Sequence, residues 1–180
     1  MSSRSVLLVR HCESSGQAPY APLTARGAEQ AEQLAHALAS QPITRIVSSP
    51  YARAGETIAP LARRLGLDVS IDPRLRERLL SPEPREDWRE HVARAFLDPD
   101  ARAPGGESAR EVLARGWAAL ADALAAGDSV LVSHGQLLSL VLHRIDTRFG
   151  YAGWEAMANP DVFRVEQNVA GDLRYERFTL

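Results

Sequence analysis

Apolar residues gather along this chain in two patterns that alternate with each other. Short unbroken runs, SVLLV (5–9), ITRIVSS (43–49), LDVSI (67–71) and DSVLVS (128–133), have the length and branched side chains of buried strands. Other stretches repeat at helical spacing. Ala28, Ala31, Leu34, Ala35 and Leu38 follow Thr24, a residue suited to an N-cap. YARAGETIAPLARRLG (51–66) shows a second such pattern, with Gly66 placed as a C-cap and Pro60 expected to bend or break the helix. A long helix is predicted over 107–126, ended by Gly127, and QLLSLVLHRI (136–145) reads as a mostly buried one.

Two regions depart from this alternation. Residues 72–106 carry Pro73, Pro82, Pro84, Pro99 and Pro104 among short helical pieces, as a lid or insertion does. The tail segments VFRVEQ and LRYERFTL alternate apolar with polar residues around Ala170-Gly171-Asp172, which predicts an antiparallel hairpin bordering the sheet. Strands alternating with helices predict a three-layer α/β/α sandwich, its sheet mainly parallel with the antiparallel C-terminal hairpin at the edge. The 180 residues read as one domain, 1–180, with no internal repeat.

Composition narrows the chemistry. The net charge of −2 lacks the basic excess that binding to nucleic acid requires. All 21 basic residues are arginine, which excludes a Walker A lysine, a Schiff base and a lysine general base. The single cysteine forms no internal disulfide, and MSSRSVLLVR lacks the apolar run of a signal peptide, so a reducing cytoplasm is expected. No apolar run approaches the roughly 18 residues that span a bilayer, and no membrane association is expected.

Polar chemistry collects where the strands end. VLLV runs into Arg10 and His11, RIVSS into Pro50-Tyr51-Ala52-Arg53, and VLVS into His134 and Gly135. In an open parallel sheet these ends share one edge, the edge at which such folds bind ligands. Guanidinium groups offer forked donors to a phosphoryl group, and a neutral imidazole is a competent nucleophile toward phosphorus.

These motifs, RHCES at the opening, LTARGAEQA (23–31), VSSPYARAGETI, GGES followed by Arg115, and VLVSHG, resemble in order and spacing the histidine phosphatase superfamily, also called phosphoglycerate mutase-like. The resemblance covers most of the chain. It implies His11 as nucleophile, Arg10, Arg53 and His134 as a phosphate pocket, and Glu77 in LRERL as proton donor. His134 also counts among the catalytic groups, and Ser14 and Glu107 are possible substrate contacts. The implied activity is metal-independent phosphomonoester hydrolysis through a phosphohistidine, on a small phosphorylated metabolite and without a cofactor. Two departures stand out. LLSPEPREDW replaces the family's glycine and aromatic segment after the glutamate, leaving Glu83 and Glu86 as alternative acids, and Cys12 stands where the family most often has glycine.

Other readings compete. A cysteine phosphatase loop, C-x5-R, would place its arginine at Ala18, so packing is expected of Cys12. Adjacent His11 and Cys12 do not share one metal ion easily, and no spaced ligand pair such as H-E-x-x-H is present. Arg74, Arg76 and Arg78 could extend the pocket's field or be plain surface. Glu107-Ser108 could face substrate or cap the next helix. A phosphoglycerate mutase, a protein phosphohistidine phosphatase and a non-catalytic phospho-ligand module remain alternatives. The hairpin or an edge strand could pair two copies into a homodimer.

Overall fold

The computed structural model describes residues 4–180; the first three positions of the N-terminal reading lie outside them. Six strands form one sheet in the order β3-β2-β4-β1-β5-β6. They are β1 (Arg4–Arg10), β2 (Arg45–Ser48), β3 (Val69–Ile71), β4 (Ser129–Ser133), β5 (Asp161–Gln167) and β6 (Leu173–Arg177). The first four are mutually parallel, and the last two form the antiparallel hairpin, added to the sheet beside β1.

Alternation along β1 explains the layering. Val6 and Leu8 point into one apolar cluster and Leu7 and Val9 into another, because successive strand side chains face opposite sides of a sheet. The second cluster is closed by α1 (Ala25–Leu38) and α2 (Ala52–Leu65), through Leu34, Leu38, Ile58 and Leu61. The first is closed by two helices C-terminal to the irregular region, through Val112, Leu120, Leu137 and Val141. Gly116 lets those two helices meet closely, since a Cβ there would stand 3.1 Å from Leu137 Cδ2. The sandwich therefore has helices on both faces of a mainly parallel sheet.

Thr24 caps α1 by accepting from Gly27 N at 3.0 Å, and Gly66 ends α2 in the left-handed region at φ 65°. Pro60 does not break α2. Its ring is buried, and the helix runs on to Leu65 while apolar residues on either side hold it against α1 and the sheet. Residues 72–106 hold a 3₁₀ turn (Pro73–Leu75) and α3 (Trp88–Ala95). The long helix, α4 (Ala109–Ala126), starts two residues later than expected because Ser108 is its N-cap in a capping box with Glu111. Next come α5 (Gly135–Ile145) and α6 (Tyr151–Glu155), the latter a short helix the apolar pattern did not announce. Its Trp154 meets Trp88 of α3 edge to face at 6.0 Å, so it braces the irregular region from the side. Among the described residues no helix is long and apolar enough to cross a membrane.

Candidate active site

The parallel ends of β1, β4 and β2 lie side by side, and the ladder onto β4 continues one residue past β1 and past β2. His11 N donates to Ser133 O at 3.1 Å, and Ser49 N to Val132 O at 2.9 Å. The backbone carrying His11 and Ser49 is thereby fixed by the sheet itself, while His134 follows β4 directly and its carbonyl accepts from Leu138 N at 3.0 Å as α5 begins. Arg53 enters from the first turn of α2, and its side chain is 1% exposed.

His11 sits with Nδ1 2.7 Å from Cys12 O, and its Nε2 accepts from Arg53 Nε at 3.1 Å. A carbonyl oxygen only accepts, so Nδ1 carries the hydrogen and Nε2 keeps its lone pair. Burial, opposed by the Cys12 carbonyl and reinforced by repulsion from Arg53 and Arg10, lowers the His11 pKa from 6.5 to about 4. The ring is neutral at neutral pH. His134 is fully buried, its ring centroid 5.2 Å from that of His11, with Nε2 2.7 Å from Ser49 Oγ. Burial and the neighbouring His11, Arg53, Arg115 and Arg10 push its pKa well below the usual value.

The guanidinium groups are anchored from outside the cradle. Arg53 Nη1 donates to Gln17 O at 3.1 Å and Ala18 O at 2.9 Å, and the group lies over the Tyr51 ring at 5.0 Å. Arg10 Nη1 donates to Met157 O at 2.8 Å. Gly135 leaves room for that side chain, since a Cβ there would stand 3.2 Å from Arg10 Cζ. Arg10 Nε and His134 Nδ1 are buried without a hydrogen-bond partner among the described residues.

Glu77 lies at the start of α5, immediately after His134. Its Oε1 accepts from Arg78 N at 2.9 Å and Leu137 N at 3.1 Å, and its Oε2 from Gln136 N at 3.1 Å. His134 offers no side-chain cap to α5, so Glu77 fills that place from a distant segment. Its charge bears on both Arg10 and Arg53. Glu83 and Glu86 are exposed on the irregular region. Of the three candidate acids, only Glu77 is held against the residues that follow His134.

The remaining candidates are placed differently. Ser14 donates to Gly16 O at 3.0 Å within its own loop. The Glu107 carboxylate accepts from Arg76 Nη2 (2.7 Å), Arg115 Nε (3.1 Å), Arg115 Nη2 (3.0 Å) and Leu79 N (2.9 Å), which engages all four of its acceptor positions. Cys12 is buried in the core cluster beneath α1 and α2, and burial, opposed by its bond with Thr57, raises its pKa to about 11. Such a thiol is not a nucleophile at neutral pH. The LTARG motif fastens the loop after Cys12: Thr24 donates to Glu13 Oε1 at 2.8 Å, Leu23 N to Glu56 Oε2 at 2.8 Å, and a Cβ at Gly27 would lie 2.0 Å from Glu13 O. Among the described residues no group of three or more His, Cys, Asp or Glu is placed to hold a metal.

Several contributors escaped the sequence reading. Ser49 on His134 lies inside a motif already singled out, and only its pairing was missing. Tyr51 meets His134 edge-on at 5.0 Å. Asn159 donates Nδ2 to His11 O at 2.7 Å from 148 positions away, and no local pattern signals it.

A family model described as histidine phosphatase superfamily (branch 1) matches residues 6–168. A probable phosphoglycerate mutase GpmB from Salmonella choleraesuis is 34% identical over 169 residues, covering 83% of this chain and 76% of its own length. Its counterpart from Enterobacter sp. (strain 638) is 34% identical over 160 residues, covering 78% of this chain and 74% of its own length. Among solved structures, a mycobacterial glucosyl-3-phosphoglycerate phosphatase superposes with a TM-score of 0.78 at 26% identity, over 98% of this chain and 97% of the other.

Proposed function

The chain belongs to branch 1 of the histidine phosphatase superfamily, and we propose that it is a metal-independent phosphomonoesterase that passes the phosphoryl group of a small phosphorylated metabolite through His11 to water. One observation carries the reading: His11 is locked with Nδ1–H on the Cys12 carbonyl, leaving the Nε2 lone pair toward Arg53. On binding, a phosphoryl oxygen takes the Arg53 Nε donor away from Nε2 and frees that lone pair. Nε2 then bonds to phosphorus as the ester P–O bond breaks, and Glu77 gives the departing alkoxide a proton. In the second half, Glu77 takes a proton from water, the oxygen bonds to phosphorus, the N–P bond breaks and phosphate leaves with His11 neutral again. Arg10, Arg53 and His134 hold the equatorial oxygens in both halves, in a buried setting where fixed donors act strongly. The single, buried, unpaired cysteine fits a cytoplasmic setting.

The names of the 34% identical relatives favour a second reading, return of the phosphoryl group to another hydroxyl of the substrate. The absence of lysine from the chain favours hydrolysis over that transfer, because mutases of this family typically place one near the substrate. Product analysis with 3-phosphoglycerate separates the two: phosphate release supports the phosphatase, and accumulation of the 2-phospho isomer supports the mutase. Rapid-quench labelling with a radioactive ester is expected to trap an acid-labile adduct that disappears in His11→Ala. Retention of phosphate without turnover of any ester in a broad panel would identify a binding module instead.

A further inference from the structure

The four residues Gly105-Gly106-Glu107-Ser108 and the more distant Arg115 close around the backbone of the Glu77 segment. Arg115 Nη1 donates to Arg74 O at 2.7 Å and Arg76 O at 2.6 Å, and Nη2 donates to Glu77 O at 3.3 Å. The same guanidinium grips both oxygens of Glu107. Glu107 in turn holds Leu79 at both its N–H and its carbonyl, since Leu79 N donates to Oε2 at 2.9 Å and Glu107 N donates to Leu79 O at 2.7 Å. Arg78 Nε donates to Glu107 O at 3.0 Å.

Arg74, Arg76, Glu77, Arg78 and Leu79 are thus each tied to one rigid ion pair, whose two side chains are 11% and 16% exposed. The glycines make the closure feasible. Gly105 adopts φ 72°, and a Cβ at Gly106 would stand 2.0 Å from Leu80 O. The segment needs such a holder because, past the 3₁₀ turn that ends at Leu75, residues 76–80 are neither strand nor helix and have no ladder of their own. Burial opposes ionisation of Glu107, but the Arg115 bonds, the Leu79 amide and the charges of Arg115 and Arg76 bring its pKa below the usual carboxylate range.

We propose that Glu107 and Arg115 are positioning residues, a clasp that sets the Glu77 carboxylate against the first turn of α5 beside His134, and that neither contacts substrate. The consequence for chemistry rests on Glu77 being the proton donor; the consequence for structure does not.

The test uses the full chain with Glu107→Gln, Arg115→Met and Arg115→Lys, and Glu77→Gln as reference. Hydrogen exchange reads the positioning directly. The amides of Gln136 and Leu137, which donate to Glu77, are expected to exchange at least about tenfold faster in Glu107→Gln and Arg115→Met, while amides of Val130 to Val132 stay protected. Unchanged protection at 136 and 137 overturns the clasp, whatever Glu77 does chemically. Kinetics read the consequence. Phosphoenzyme formation from an alkyl phosphate is expected to fall about a hundredfold with KM within threefold, and that from p-nitrophenyl phosphate much less, because a good leaving group needs little protonation. Arg115→Lys should recover little, since one ammonium does not reproduce a fork spanning two carbonyls and a carboxylate. A raised KM with unchanged kcat, for either ester, overturns the proposal in favour of substrate contact. If exchange speeds up as expected but Glu77→Gln itself shows no leaving-group dependence, the clasp stands and the role of Glu77 as acid falls.

Discussion

His11 and His134 hang from strands, whereas Glu77 hangs from a loop. His11 extends the parallel ladder by one residue and His134 joins β4 directly to α5, so both side chains are carried by the ends of strands in a sheet buried on both faces. Glu77 has no such support, and five of its neighbouring backbone groups are bound by side chains of Arg115 and Glu107 or by the backbone of Glu107. Sites can therefore be fixed in two ways, by regular hydrogen bonding or by dedicated side chains. The first tolerates sequence change in individual side chains, and the second does not.

Substitutions on each side sharpen that contrast. Arg53→Ala is expected to have the largest effect, lowering kcat/KM for p-nitrophenyl phosphate by about a thousandfold, since it removes the partner of His11 Nε2 and, on the proposed mechanism, a phosphoryl donor. Circular dichroism should leave the fold unchanged, because the sheet does not depend on that side chain. An Arg53→Ala enzyme within tenfold of the parent breaks the picture of the cradle. Acid comes next. The folded-state pKa of His11, about 4, lies below its ordinary value of 6.5, so the unfolded chain binds the proton more readily between them. Its contribution is fully present above pH 6.5 and is lost as pH falls toward 4, by up to about 3 kcal/mol. His134 acts in the same direction. Urea denaturation at pH 7 and pH 4 measures the loss, and equal midpoints contradict it.

Gly135→Ala probes the cradle more gently. Its methyl group presses on Arg10, and a KM increase of about tenfold with kcat within twofold is expected. The smallest effect is a null one. Cys12 should resist Ellman's reagent in the folded enzyme and react once urea unfolds it, with turnover unaffected by the reagent. Inactivation at the rate of thiol labelling would return Cys12 to the candidate nucleophiles.

The same contrast explains what could be read from residues alone. Strands of four or five apolar residues with a charged or imidazole group at the end state both their burial and their polarity, so the sheet and the convergence of Arg10, His11, Arg53 and His134 were legible. The break allowed for at Pro60 does not occur, because a local rule about helices was outweighed by apolar packing on both sides of it. The use of Glu107 was hidden for a different reason. Whether a carboxylate meets a ligand or an arginine depends on Arg76 and Arg115, which lie 31 and 8 positions away on other elements. Asn159 and Met157 were hidden more deeply, since they act across nearly the whole chain on backbone and guanidinium rather than through any motif.

That last pair has a consequence for how the protein comes into being. The strand leading into His11 is the first of the six to be made, yet its two neighbours in the sheet are β4 and β5, and the groups gripping His11 O and Arg10 lie just before β5. On the ribosome, α1 to α4 are synthesised before either flanking strand exists, and α5 and α6 before the second one does. The grip on His11 and Arg10 is therefore completed only once the segment leading into β5 has been made.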